Sequence, residues 1–333
     1  MSANPQIIDD NMLPYFLTKA GWGNATIKPL SADMGLRRYY LVELNSKSAL
    51  LMDMSRAGVL ETGLEEFIKI DEFLRGHNIN APEIYYADTK TGLALIEYLG
   101  DTSFGDALKN GVDKVDIYKR ATDFLIQIKN AHTENTLGLL PYKKTLIWER
   151  VPQFVDYYMP VASGVSPSPK IHDDYQKMWE DIENGLPECP HVVCLGDYHL
   201  ENLIWNDNKP DCGVIDFQDA FWAPAPYDLL NLLEDARMSV PDDIKHKMKT
   251  NYCADMDDKT RAAFDDWYVV MSAQFHCRVI GLFLKFAQDG RGEQFLPHIR
   301  RLQNYLKDEI KNPVLAPLKA FIEGHKISLE YKP

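Results

Sequence analysis

Helical sequence in the second half of this chain is interrupted once, by three short runs of β-formers: Val192-Val193-Cys194-Leu195, Leu203-Ile204-Trp205 and Gly213-Val214-Ile215-Asp216-Phe217. The first leads into a turn that carries Asp197, and the last carries Asp216 near its end. A short hairpin set into a helical lobe accommodates both patterns, and no other feature restricts the fold as much. Helices around it are read from Tyr118, Ala121, Leu125 and Ile128 at helical spacing, from Ile147 to Tyr158, and from Pro226-Tyr227-Asp228-Leu229-Leu230 onward. Ser163 to Pro169 is a loop by composition.

The first hundred residues read differently. Arg38 to Leu44 and Ser48 to Asp53 are rich in β-formers and are parted by Asn45-Ser46-Lys47, which predicts a hairpin. A helix follows, with Leu64, Phe67, Ile68 and Leu74 near helical spacing and Gly76 as its stop. Glu83 to Ala87 and Leu93 to Tyr98 predict a second hairpin. The fold class is therefore α+β, with a small β-rich lobe at residues 1–99, a large helical lobe at residues 100–333, and a hinge near Leu99-Gly100. At 333 residues and 45% hydrophobic, the chain can bury a core in each lobe.

Charge narrows the partners. A net charge of −13 disfavours nucleic acid and anionic membranes, so neither is expected as a partner. No run of about eighteen apolar residues reads as a membrane span, and Met1 to Leu13 lacks the basic and apolar segments of a leader. Five cysteines, an odd number with no CxxC pair, read as reduced thiols in a cytoplasmic protein.

The chemistry lies in Leu195-Gly196-Asp197-Tyr198-His199-Leu200-Glu201-Asn202, followed by Val214-Ile215-Asp216-Phe217-Gln218-Asp219. Phosphoryl transfer needs an acceptor hydroxyl held in line, a group to take its proton, and metal ions on the phosphates. Asp197 on a loop suits the base. Asn202 and Asp216 suit magnesium, which takes few protein oxygens and fills its shell with phosphate and water. A Gly-Asp pair or a carboxylate after a strand is, taken singly, more often a turn or a helix cap; the combination is far more specific.

Gly-Asp-x-His-x-x-Asn followed by a strand ending Ile-Asp-Phe resembles the catalytic and metal loops of the aminoglycoside phosphotransferase and choline kinase superfamily, whose fold is protein-kinase-like. Ile215 to Ala220, Trp222-Ala223-Pro224 and Tyr227-Asp228-Leu229 are most similar to the bacterial kinases that phosphorylate the anomeric hydroxyl of N-acetylmuramate or N-acetylglucosamine. Arg37-Arg38-Tyr39-Tyr40 and Gln274 to Phe283 agree, so the resemblance runs from about residue 28 to about residue 306. It implies ATP and Mg2+, Asp197 as base, Asn202 and Asp216 as metal ligands, and Asp228 as a brace for the catalytic loop. As a plain reading, Asp228 is equally a helix-start carboxylate. His199 is read as structural support.

On the nucleotide side, Ser31 to Leu36 stands where kinases place a phosphate-covering loop, with Ser31 and Gly35 as contacts and only one glycine. One of Arg37 and Arg38 would reach phosphate, since strand neighbours face opposite ways. Glu97, Tyr98 and Leu99 stand at the hinge, where the family's backbone meets the adenine edge. The expected strand lysine is missing from Ala49 to Asp53, with Lys47 only at the strand's edge. On the acceptor side, Glu149 reads either as a sugar-binding carboxylate or as an exposed helix residue. Gln274 and Arg278 read either as ligand contacts or as a core network, on a helix whose apolar face carries Trp267, Met271, Val279 and Leu282. Gln218 and Asp219 would also reach the acceptor. A small molecule, a sugar above all, is the expected partner. An aminoglycoside or choline-like acceptor, or a kinase-like module without catalysis, are the alternatives.

Overall fold

In the computed structural model, which describes residues 12–30, 37–55, 63–131, 134–207 and 212–332, the chain starts with helix α1 (Met12–Lys19). Strands β1 (Thr26–Pro29), β2 (Arg38–Leu44) and β3 (Lys47–Asp53) follow, then α2 (Leu64–Gly76), β4 (Ile84–Asp88) and β5 (Leu93–Glu97). The five strands form one antiparallel sheet in the order β1-β2-β3-β5-β4. Strand alternation sends Val42, Ala49, Leu51, Leu93 and Leu95 inward, where Phe16 and Leu17 of α1 join them. Asn45 turns the first hairpin at φ 57°, a conformation asparagine tolerates.

Helices α3 (Phe104–Lys109) and α4 (Lys114–Ala131) come next. Ser103 caps α3 by accepting from Asp106 N. Tyr118, Ala121, Leu125 and Ile128 of α4 are all buried, as their spacing predicts. Then come α5 (Leu146–Glu149), a π-helical turn at Phe154–Tyr158, α6 (Met159–Ser163), α7 (Pro169–Asn184) and β6 (His191–Cys194). The single helix expected from Ile147 to Tyr158 is thus broken, because Pro152 cannot continue α5 but can open the following turn.

The chain continues through β7 (Leu203–Ile204), β8 (Gly213–Val214), β9 (Phe221–Pro224), α8 (Pro226–Leu233), α9 (Asp242–Tyr252), α10 (Asp258–Gln288), α11 (Ile299–Glu309) and α12 (Ala316–Gly324). The expected β insertion is two separate ladders, β6 with β9 and β7 with β8. The sequence predicts no strand at β9. Its proline sits at the strand end opposite His191, where a missing N–H is tolerated.

Two units result, Met1–Ala131 with Leu195–Ala220, and His132–Cys194 with Phe221–Pro333. This division differs in course from a boundary at residue 99, since α3, α4 and the two aspartate loops group with the sheet. The spine of the second unit is α10. Sequence spacing gives it one apolar face, yet every residue from Val270 to Gly281 except Phe275 is buried, while Trp267 and Leu282 keep some exposure. A Cβ at Gly281 would lie 2.2 Å from Gln153 O, so only glycine lets the π-helical turn seat against α10. Among the described residues, α10 is the one helix long and apolar enough to cross a membrane. Its most apolar window is 72% buried within the protein, as in a core helix.

Candidate active site

In the first unit, the loop after Gly196 carries Asp197 with its side chain 61% exposed. His199 precedes a single 3-10 turn, Leu200–Asn202, and its Nδ1 accepts from Glu201 N at 3.2 Å. That bond assigns the ring proton to Nε2, which lies 3.3 Å from Asp197 Oδ1 and donates toward it. Asn202 Nδ2 donates to Asp197 O at 2.9 Å, and Ile215 N donates to Asn202 O at 3.1 Å. Between these residues, Tyr198 points the other way. Its hydroxyl donates to Ala121 O of α4 at 2.7 Å and its ring stacks on Phe124. The backbone is therefore anchored while the Asp197 carboxylate stays open.

A second anchor escapes the sequence reading. Glu201 Oε2 accepts from Ser103 Oγ at 2.7 Å, and Lys109 Nζ lies 3.6 Å from Glu201 Oε1. A Cβ on Gly105 would stand 2.3 Å from that same Oε1, so the carboxylate fills the space a side chain would take. Trp205 N donates to Thr102 O at 2.8 Å, and its ring meets Phe104 and the Arg120 guanidinium. The only signal available was a serine cap followed two residues later by glycine.

Asp216 adopts φ 61°, the left-handed region that costs a non-glycine residue energy and often marks functional turns. The adjacent Phe217 ring stacks on Phe67 of α2 at 4.9 Å and holds the turn. Asp216 Oδ1 accepts from Arg37 Nη1 at 2.9 Å and from Gln218 Nε2 at 2.8 Å. Asp219 Oδ2 accepts from Arg37 Nη2 at 3.0 Å and from Gln218 Nε2 at 3.3 Å. Burial pushes the Asp216 carboxyl upward most. Gln218 and Arg37 pull it down, and the charges of Asp197 and Asp219 push it up again. Asp197, Asp216 and Asp219 thus share one electrostatic site.

The donor set suits a hard cation. Asn202 spends its amide nitrogen on Asp197 O, which leaves the amide oxygen for a metal, and Asp216 supplies a carboxylate. Among the described residues no group of three or more His, Cys, Asp or Glu is assembled for a metal.

Of the paired arginines, Arg37 meets the site carboxylates, while Arg38 begins β2 opposite Asp53. Ser31 and Gly35 lie outside the described residues. Glu97, Tyr98 and Leu99 border a cavity of about 100 Å³ together with Asn80, Ile204, Asn206 and Gly213. Glu97 Oε2 accepts from Glu83 N at 3.2 Å. Strand β3 contains no lysine beyond its exposed first residue, Lys47, and Glu65 and Glu66 of α2 are exposed. The buried acid of α2 is instead Asp71. It is 3% exposed, its Oδ1 has no hydrogen-bond partner, and burial pushes its carboxyl up to about 7.

In the second unit, Gln274 is 1% exposed and engaged at both ends of its amide. It accepts from Tyr142 Oη and donates to Glu183 Oε1 at 3.2 Å. Burial holds the Glu183 carboxyl above the usual range, against the pull of Lys143 at 3.1 Å and of Gln274. Trp148, Phe221 and Tyr227 pack their rings around Tyr142. Arg278, one turn along α10, donates from Nη2 to Tyr227 Oη at 3.4 Å. Glu149 is exposed at the end of α5. Asp228, in the first turn of α8, is 3% exposed and close to Cys194, whose thiol is raised by burial first and by the Asp228 charge next. All five cysteines are buried thiols outside any disulfide.

Comparison with known proteins agrees with this arrangement. Residues 26–264 match the model of the phosphotransferase enzyme family. The chain is 28% identical to an N-acetylmuramate/N-acetylglucosamine kinase of Caulobacter vibrioides, over 93% of this chain and 94% of the relative. It is 27% identical to a protein of the same name from Pseudomonas aeruginosa, over 93% and 92%. Among solved structures, a choline kinase from Streptococcus pneumoniae superposes with TM-score 0.63 at 13% identity, over 91% of this chain and 100% of that one. An ADP-bound aminoglycoside phosphotransferase superposes with TM-score 0.57 at 13% identity, over 90% and 97%. At that identity the likeness shows the fold, a small antiparallel sheet joined to a helical region as in protein kinases.

Proposed function

The chain belongs to the phosphotransferase enzyme family, and from that premise we propose that it transfers the terminal phosphoryl group of ATP to the anomeric hydroxyl of N-acetylmuramate or N-acetylglucosamine. The acceptor follows the names of relatives that span nearly the whole chain. The observation that carries the chemistry is the open Asp197 carboxylate, oriented by His199 Nε2–H and felt electrostatically at the half-buried Asp216.

In this reading Asp197 accepts the acceptor's hydroxyl proton as the new O–P bond forms and the bond from the terminal phosphorus to the bridging oxygen breaks, releasing ADP. His199 keeps the carboxylate in one orientation. Asn202 and Asp216 would hold magnesium, which when bound would offset the negative charge of the phosphates. Gln218, bonded to both Asp216 and Asp219, keeps these two carboxylates in register. Arg37 takes the part of the missing strand lysine: its guanidinium already lies among the site carboxylates and its Nε is buried without a partner, so one hydrogen bond is left for phosphate. Residues 1–99, including Ser31, Gly35, Arg38 and the hinge residues Glu97, Tyr98 and Leu99, would receive the nucleotide. Residues 100–333, with Glu149, Gln218, Asp219, Gln274 and Arg278, would serve catalysis and the acceptor, with Asp228 as support. A cytoplasmic place suits the free thiols and the need for ATP.

The test is phosphorus NMR of products formed from ATP, magnesium and a panel of N-acetylmuramate, N-acetylglucosamine, simple hexoses, kanamycin and choline. An anomeric phosphate signal from an amino sugar is expected. A product from choline or kanamycin alone would overturn the choice of acceptor. Nucleotide binding with no product from any acceptor would favour a kinase-like module without catalysis.

A further inference from the structure

Glu201 is tied to α3 more closely than a surface glutamate needs to be. Its Oε2 accepts from Ser103 Oγ at 2.7 Å, and that same serine oxygen caps α3 by accepting from Asp106 N at 2.9 Å. Lys109 Nζ, bonded to Asp106 Oδ1 at 3.0 Å, lies 3.6 Å from Glu201 Oε1. Among these groups stands Gly105, buried within a helix of only six residues. Glycine weakens a helix relative to alanine. Here it makes room, since a Cβ would come within 2.3 Å of Glu201 Oε1. A serine that donates and a glycine that yields space are two separate signs of a seat built for one carboxylate. Every residue of the seat belongs to the first unit.

The seat holds the short turn between the base and the metal ligand. Glu201 N donates to His199 Nδ1 at 3.2 Å, which leaves Nε2 to carry the proton toward Asp197. The next residue is Asn202, whose N donates to His199 O at 3.0 Å and whose Nδ2 donates to Asp197 O at 2.9 Å. After the turn, Trp205 N donates to Thr102 O at 2.8 Å, and Ser103 bridges to Ile204. Those backbone bonds fix where the chain runs beyond Asn202. The Glu201 carboxylate fixes the turn itself.

We infer that Glu201 is a positioning residue for phosphoryl transfer. Seated against Ser103 and Gly105, it holds the 3-10 turn so that His199 directs Nε2–H at Asp197 and Asn202 keeps its amide oxygen for the metal. This rests on the phosphotransferase reading above and on no particular acceptor.

The experiment uses Glu201→Ala, Glu201→Gln, Gly105→Ala and the double variant that joins Gly105→Ala to Glu201→Ala. Two quantities are read: kcat with ATP and the amino sugar, and the affinity of the ADP complex for Mn2+ by electron paramagnetic resonance. Glu201→Ala should lower one or both by about 10- to 100-fold, as removal of a group that orients a metal ligand does, with the KM for the acceptor little changed. Glu201→Gln, whose amide oxygen can still accept from Ser103, should recover part of the loss. Gly105→Ala evicts the carboxylate and should reproduce the loss, yet cost nothing further in the Glu201→Ala background, where the space is already empty. Wild-type kcat and Mn2+ affinity in Glu201→Ala would overturn the inference. A lowered melting temperature with both unchanged would do so too, leaving the contact purely structural. Additive losses from the two alanine substitutions would overturn the seat. If Glu201→Ala does not fold, Gly105→Ala and Glu201→Gln decide. If the wild type phosphorylates no amino sugar, the choice of acceptor fails and the Mn2+ measurement still decides the role of Glu201.

Discussion

The two units carry polar side chains in opposite ways. In the first, Asp197, Asp216 and Asp219 sit on short turns, and two of the three side chains are more than half exposed. Their partners, His199, Arg37 and Gln218, are also positioned by loops or strand ends. In the second, Tyr142, Glu183 and Gln274 are sealed between a short 3-10 turn and the long helices α7 and α10. Loop carboxylates can exchange protein donors for a metal ion or a substrate hydroxyl at little cost. A sealed network cannot exchange anything without leaving a buried group unsatisfied.

The sharpest way to break this comparison is Asp197→Asn, which removes the base and keeps the shape. We expect kcat to fall about 10²- to 10⁴-fold with the thermal transition unchanged. A large loss of stability would mean that the loop is held by this carboxylate and not by Tyr198, His199 and Asn202. Near wild-type turnover on the true acceptor would remove Asp197 from the base role.

Gln274→Leu tests the opposite case. It strands the Tyr142 hydroxyl and one oxygen of Glu183 inside the second unit, which should cost ~2–4 kcal/mol in a urea titration. If stability held and only the KM for the acceptor rose, Gln274 would face a ligand, and the contrast between the units would dissolve.

Asp71 gives an effect that depends on pH. Its carboxyl is raised to about 7 in the folded protein, against about 3.9 when free. Between those values the folded state binds the extra proton, so stability falls as pH rises from about 4 to about 7 and stays lowered above that. Asp71→Asn should flatten this slope in melts taken across the range and stabilise the protein at pH 8 by up to ~4 kcal/mol. A parallel slope in both proteins would show that α2 carries the charge without penalty.

Much of this architecture was legible in the chain. The hairpin of β2 and β3 follows from two runs of β-formers around an asparagine turn, and the buried side of α4 from helical spacing, because both patterns are complete within a few residues. Asp197, Asn202 and Asp216 were legible for a related reason. Each stands in a turn whose flanking strands are written beside it, and the Asn202 bond to Asp197 O spans five residues. Strand β9 was hidden by its proline, and the break after α5 by an apolar pattern that runs across Pro152.

What only the tertiary structure decided are pairings between distant residues. Arg37 meets Asp216 across 179 positions, Tyr142 meets Gln274 across 132, and Glu201 meets Ser103 across 98. No window of sequence contains both partners, and an arginine or glutamate reads as a solvated side chain until its neighbour is known. The same holds for burial. That Asp71 Oδ1 is buried without a hydrogen-bond partner depends on what packs around it, because the cost of a charge is set by the medium that surrounds it and not by its place in the chain.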